Sequence, residues 1–114
     1  MSDSQHLSLR QCIALKLMPD IRFFDQGDGP GPVQALSPEL ATGLRQLNPG
    51  GVILYRENLS SVAQIRTLTE QIRHCLSPRV LIGVDQEGGR VTRLPRGECT
   101  SFSGNMALAA CSDG

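Results

Sequence analysis

A chain of 114 residues has the length of one small domain, and its 39% hydrophobic residues suffice for a modest core. Eleven basic residues balance eleven acidic ones and tryptophan is absent. This leaves neither the positive field that nucleic acid or an anionic membrane surface calls for nor an aromatic platform for single strands, so neither partner is expected.

The four cysteines, Cys12, Cys75, Cys99 and Cys111, form no C-x-x-C pair, and His6 and His74 stand at no zinc-ligand spacing from them. Reduced thiols in a cytoplasmic protein, with no metal and no organic cofactor, are the expectation. The opening Met1-Ser2-Asp3-Ser4-Gln5-His6 lacks the positive start and apolar stretch of a signal peptide. No run approaches the ~20 apolar residues of a membrane span.

In chain order, residues 7–17 place apolar side chains at 7, 9, 13, 14, 15 and 17, which fits a short helix with Ser8 as candidate N-cap. It runs into an extended segment over 17–24, because Pro19 disfavours helix at that point. The Gly/Pro-rich stretch 25–36, containing Asp25-Gln26-Gly27-Asp28-Gly29-Pro30-Gly31-Pro32, reads as a loop without regular structure. Ser37-Pro38-Glu39 then starts a helix with a capping hydroxyl, Pro at the first position and an acid near the positive end of the dipole. Leu40, Leu44 and Leu47 give that helix one buried stripe, and Asn48-Pro49-Gly50-Gly51 ends it. Residues 52–55, Val-Ile-Leu-Tyr, are an apolar, β-branched run and hence a buried strand.

Ser61 with Gln64 reads as a capping box, and Val62, Ile65, Leu68 and Ile72 share one face of the helix that follows. Arg73 and His74 fall in its last turn and Ser77-Pro78 stops it. Residues 80–84 are a second strand. Strand, helix and strand with short connections make a βαβ unit, parallel and right-handed, so the fold class is α/β. Tyr55, Arg56, Glu57, Asn58 and Asp85 then open onto one face of the sheet.

The stretch Gly83-Val84-Asp85-Gln86-Glu87-Gly88-Gly89-Arg90-Val91-Thr92-Arg93 is the centre of interest. A carboxylate at the carboxyl end of a strand stands where α/β proteins bind ligands. Two glycines allow a sharp turn and close approach, and two arginines follow. On spacing alone the loop suits a phosphate, a metal or a sugar, and it also suits an ordinary solvated turn. Residues 94–105 continue as loop before a short helix over 106–111. A parallel sheet of two or three strands leaves most of its edges uncovered.

Two motifs bring a family into view. Gly50-Gly51-Val52-Ile53-Leu54-Tyr55-Arg56-Glu57-Asn58-Leu59 and, one helix later, the Asp85 loop resemble the amino-terminal part of glycoside hydrolase family 3. Within it the likeness is to the β-N-acetylhexosaminidase branch, and Ser101-Phe102-Ser103-Gly104-Asn105-Met106 also resembles that branch. The resemblance covers roughly residues 8–111.

The resemblance implies a (β/α)8 TIM barrel, which takes ~250 residues. This chain is then the amino-terminal portion of one catalytic barrel domain, incomplete over residues 1–114. It implies retaining hydrolysis of terminal β-linked N-acetylglucosamine, in chitin-derived sugars or in muropeptides of cell-wall recycling. It assigns Asp85 to sugar hydroxyls and Arg93 to sugar binding, as the substrate-binding residues. Glu87, Gly88, Gly89 and Arg90 support the loop, with Arg90 bracing it against Glu87. The family's nucleophilic Asp and its acid/base His belong to motifs that residues 1–114 do not contain, so no catalytic residue is expected here and the chain alone is expected to be inactive. His6 and His74 lie in other contexts, and Glu87 is a loop anchor rather than an acid. Two alternatives stand beside this reading: another family 3 specificity, such as β-glucosidase or β-xylosidase, and a non-catalytic or degenerate carbohydrate-binding protein.

Overall fold

The computed structural model describes residues 6–111. Helix α1 (Leu9–Ala14) is held by a closed capping box: Ser8 Oγ accepts from the Gln11 amide, and Gln11 Oε1 accepts from the Ser8 amide at 2.8 Å. It stops before the expected residue 17 because the following backbone is taken by the sheet. Only Ala14 of α1 is buried.

The Gly/Pro-rich stretch is not wholly irregular, which corrects the expectation for residues 25–36. Strand β1 (Phe23–Asp25) pairs antiparallel with β2 (Pro30–Pro32). The Asp25 carboxylate accepts from the amides of Gly27 and Gly29 at 2.8 and 3.1 Å and ties the connecting turn. The prolines are tolerated through register. Val33 N donates to the Arg22 carbonyl at 2.9 Å, so Arg22 and Val33 form a hydrogen-bonded pair. Pro32 opposite Phe23 and Pro30 opposite Asp25 therefore fall at the alternate positions, where no ladder N–H is required.

Helix α2 (Pro38–Leu47) begins at Ser37, whose hydroxyl accepts from the Leu40 amide, and ends at Asn48 in the left-handed conformation, φ 51°. Leu40 and Leu44 are buried as expected, but Leu47 is 37% exposed and faces the open side of α1. Strand β3 (Gly51–Leu54) follows at once. The extended segment before β1 runs beside it: Gly51 N donates to the Leu17 carbonyl, Ile53 N to the Pro19 carbonyl, and Asp20 bridges Ile53 in parallel.

A 3-10 turn, Arg56–Asn58, leads to α3 (Val62–Cys75) and then to β4 (Leu81–Val84), which pairs parallel with β3 from Gly51 opposite Leu81 to Leu54 opposite Val84. The βαβ unit is as the hydrophobic pattern indicates. Leu68 and Ile72 of α3 are fully buried and cluster with Val52 and Leu54 of β3 and Leu40 and Leu44 of α2. Each such side chain contributes on the order of 1.5–3 kcal/mol. Val62, on the same helical stripe, is 36% exposed at the helix start.

The capping at α3 also departs from the expected box. Ser61 Oγ does accept from the Gln64 amide, but the Gln64 side chain reaches one residue further back, its Oε1 accepting from Ser60 N at 3.0 Å. Its Nε2 donates to the carbonyls of Gln34 and Asn58, stitching two loops to the helix. The structure is flattened, 59 × 44 × 21 Å, with a radius of gyration of 17.6 Å. A compact domain of this size has roughly 13 Å. Leu81 of β4 is 67% exposed, and helix α4 (Asn105–Cys111) buries none of its residues.

Candidate functional site

Three parallel segments bring their carboxyl ends to one side: Asp20 from the first, Tyr55 after β3 and Asp85 after β4. At the first, the Arg22 guanidinium pairs with Asp20, Nε to Oδ2 at 2.6 Å, and lies over the Tyr55 ring, 4.3 Å from its centre. The Asp20 hydrogen bond holds the Arg22 pKa above its ordinary value. This gives Tyr55 and Arg22 a shared position that the sequence pattern did not indicate.

At the third end the loop is folded by its own backbone. Glu87 N and Gly88 N both donate to the Val91 carbonyl at 3.1 Å, and Val91 N donates back to Gly88. Gly88 and Gly89 have φ of 80° and 58°, the left-handed region where a side chain is strained. Gly89 N reaches the Phe102 carbonyl at 3.3 Å, and a Cβ on Gly89 would stand 2.9 Å from the Cα of Gly104. The 101–106 stretch is thereby held against the loop.

Arg93 turns back on the strand end. Its Nε donates to the Asp85 carbonyl at 3.1 Å and its Nη2 to Asp85 Oδ2 at 3.2 Å. The two side chains are 30% and 41% exposed, so the pair is open to a ligand. Among the described residues nothing bonds Oδ1 of Asp85 or Nη1 of Arg93. As a carboxylate Asp85 is acceptor-only, while a guanidinium is donor-only; together they offer both halves of a hydroxyl-binding arrangement.

Glu87 and Arg90 are both exposed, and no ion pair joins them among the described residues. The brace expected between them is replaced by Gln86. Its Oε1 accepts from Arg93 N at 2.7 Å and from Leu94 N at 3.3 Å, clamping the far side of the turn. A polar side chain directly after the strand-end Asp was the available signal.

Asn58, expected to open onto the strand-end face beside Tyr55 and Asp85, is instead turned into the interior, because its amide is claimed by the hairpin backbone. It is fully buried; its Nδ2 donates to the carbonyls of Ile21 and Val33 at 3.1 and 2.8 Å, and its Oδ1 accepts from Tyr55 N at 2.9 Å. It locks the turn after β3 to the base of the hairpin. Glu98 does similar work from the other side, its Oε2 accepting from Val62 N at 2.9 Å at the positive end of α3. All four cysteines are free, and among the described residues no cluster of three or more His, Cys, Asp or Glu is placed to hold a metal.

Parallel strands, a crossover helix and a carboxylate-bearing glycine loop at the strand ends define an α/β domain, with the loop at the position where such sheets generally bind ligands. More particularly, the chain belongs to glycosyl hydrolase family 3: the model of that family's N-terminal domain matches residues 12–114. Beta-hexosaminidase A of Pseudoalteromonas piscicida is 36% identical over 115 residues, covering 91% of this chain and 19% of the relative. A beta-hexosaminidase of Chromobacterium violaceum is 54% identical over 44 residues, 39% of this chain and 12% of that protein. Among solved structures, a family 3 β-N-acetylglucosaminidase from Paenibacillus superposes with a TM-score of 0.72 at 31% identity, over 92% of this chain and 19% of that one. NagZ from Neisseria gonorrhoeae, solved with N-trifluoroacetyl-D-glucosamine, gives 0.70 at 32%, over 86% and 26%. The chain thus spans about a fifth of the length of the first of these relatives.

Proposed function

We propose that this chain is the substrate-holding part of a retaining β-N-acetylhexosaminidase that removes terminal β-linked N-acetylglucosamine. The observation that carries the reading is the Asp85–Arg93 pair, half-open at the carboxyl end of β4, in a chain whose relatives are beta-hexosaminidases. Asp85 accepts from sugar hydroxyls through its unbonded oxygen, and Arg93 donates to the same sugar while fixing the carboxylate. The open edge of β4 and the open face of the sheet suit the first strands of a (β/α)8 barrel, closed by strands outside these residues.

Retaining hydrolysis needs a nucleophile and an acid/base on the two sides of the bond. In this proposal both come from outside residues 1–114, so the chain positions the sugar and does not cleave it. The substrate class extends to N-acetylglucosamine-containing muropeptides of cell-wall recycling. A reducing, cytoplasmic compartment suits the four free cysteines.

The test is hydrolysis of chromogenic glycosides by the full-length protein carrying this segment. An N-acetylglucosaminide is turned over in preference to a glucoside, and the 114-residue chain alone turns over neither. Faster cleavage of the glucoside, or turnover by the isolated chain, would overturn the corresponding half of the proposal.

A further inference from the structure

We propose that Arg56, Arg93 and Arg96 form an oxyanion-binding site beside the Asp85 loop, one that takes the phosphate or carboxylate group of a small anionic ligand. The three arginines line a single pocket of about 280 Å³ together with Ser60, Thr92 and Glu98. The pocket sits where ligands of α/β domains are held: Arg56 opens the 3-10 turn after β3, and Arg93 and Arg96 follow β4.

The guanidinium groups of Arg56 and Arg96 have no hydrogen-bond or ion-pair partner among the described residues. Arg93 uses Nε and Nη2 on Asp85 and keeps Nη1. The opposing charge in the wall is Glu98, whose Oε2 is already bonded to Val62 N at the start of α3. The Ser60 and Thr92 hydroxyls donate to Gln64 Oε1 and to the Gly89 carbonyl, so the arginines are the donors that remain. Positive charge is therefore in excess in one concave space. A guanidinium is weakly hydrated and forked, and it matches the paired oxygens of a phosphate or carboxylate better than it matches chloride.

Occupancy of this site requires no glycosidic bond, although the site shares Arg93 with the proposed sugar-holding pair. An anion bound to Arg93 also shares that side chain with Asp85, so the two positions are coupled through one guanidinium.

The experiment is a titration of the ¹⁵N-labelled protein with inorganic phosphate, acetate and uncharged N-acetylglucosamine, with sodium chloride holding ionic strength constant. Saturable amide shifts at Arg56, Thr92 and Arg96 are expected with the oxyanions and not with chloride. Tighter binding of phosphate assigns a phosphate ester as the ligand, and tighter binding of acetate a carboxylate. Both Arg56 and Arg96 are exposed, so the double variant Arg56→Gln/Arg96→Gln should melt as the parent does while weakening the oxyanion at least about tenfold. Absence of saturable shifts at these residues, an equal response to chloride, or unchanged affinity in the double variant overturns the site. The shift map of the unmodified protein decides the matter even if the double variant folds poorly.

Discussion

Asn58 Nδ2 donates to the Val33 carbonyl at 2.8 Å, across 25 residues of sequence and with Asn58 completely buried. The same side chain satisfies Ile21 O and Tyr55 N. Truncation leaves two carbonyls of buried residues and one part-buried amide without partners, the buried ones each costing on the order of 1–3 kcal/mol. Asn58→Ala should lower unfolding free energy by about 3 kcal/mol in urea titration. A loss under about 1 kcal/mol would show that water replaces the amide at this point.

Two glycines separate backbone crowding from side-chain crowding. A Cβ on Gly50 would run into the Leu15 carbonyl oxygen, in a backbone segment pinned on either side by Gly50 N to the Ala14 carbonyl and Gly51 N to the Leu17 carbonyl. A Cβ on Gly83 meets the Met18 methyl at 2.6 Å, the far end of a flexible and exposed side chain. Gly50→Ala is expected to cost about 2 kcal/mol or more, and Gly83→Ala under about 1. Equal midpoints for the two variants in thermal melts would contradict this ordering.

What the sequence made legible follows from where each signal lies. Leu68 and Ile72 repeat at helical spacing and Val52 and Leu54 alternate within a strand, so the βαβ unit is written in local periodicity. The β1–β2 hairpin is hidden because Pro30 and Pro32 read as breakers until their register against Phe23 and Asp25 is known. Asn58 is hidden for a different reason: two of its three partners are 25 and 37 residues away, and nothing local marks an asparagine for burial. At the strand end, Asp85 and Arg93 stand together as a polar pair, yet Gln86 makes the clamp that the family resemblance gave to Arg90.

The Asp85–Arg93 pair should matter far more to a bound sugar than to folding. Both side chains are partly exposed, so breaking the pair costs roughly 0–1 kcal/mol of stability. In the full-length protein, Asp85→Ala is expected to reduce kcat/KM for an N-acetylglucosaminide about 100-fold, the loss of a charged hydrogen bond to substrate. Arg93→Lys keeps the charge but forfeits the Nε bond to the Asp85 carbonyl, and should lose about tenfold. A melting temperature that falls in step with activity would point to a structural role instead.

Gln86 holds the turn by accepting from the Arg93 and Leu94 amides. Gln86→Leu frees the amides of Arg93 and Leu94 and lets the arginine swing. The expected result is a KM raised about tenfold with kcat little changed, measured on the same glycoside. Gln86→Glu keeps an acceptor for both amides and should restore most of the affinity. Failure of that rescue would remove Gln86 from the positioning of Arg93.

The Arg22–Tyr55 stack has an optical consequence. The chain contains one tyrosine and no tryptophan, so its near-ultraviolet dichroism and its emission arise almost wholly from a single ring. That ring is capped by a guanidinium 4.3 Å away and stands at the mouth of the sheet, one residue before the turn that carries Arg56. The protein therefore has a native chromophore at the strand ends, and displacement of Arg22 or of the turn can be followed in real time without a label.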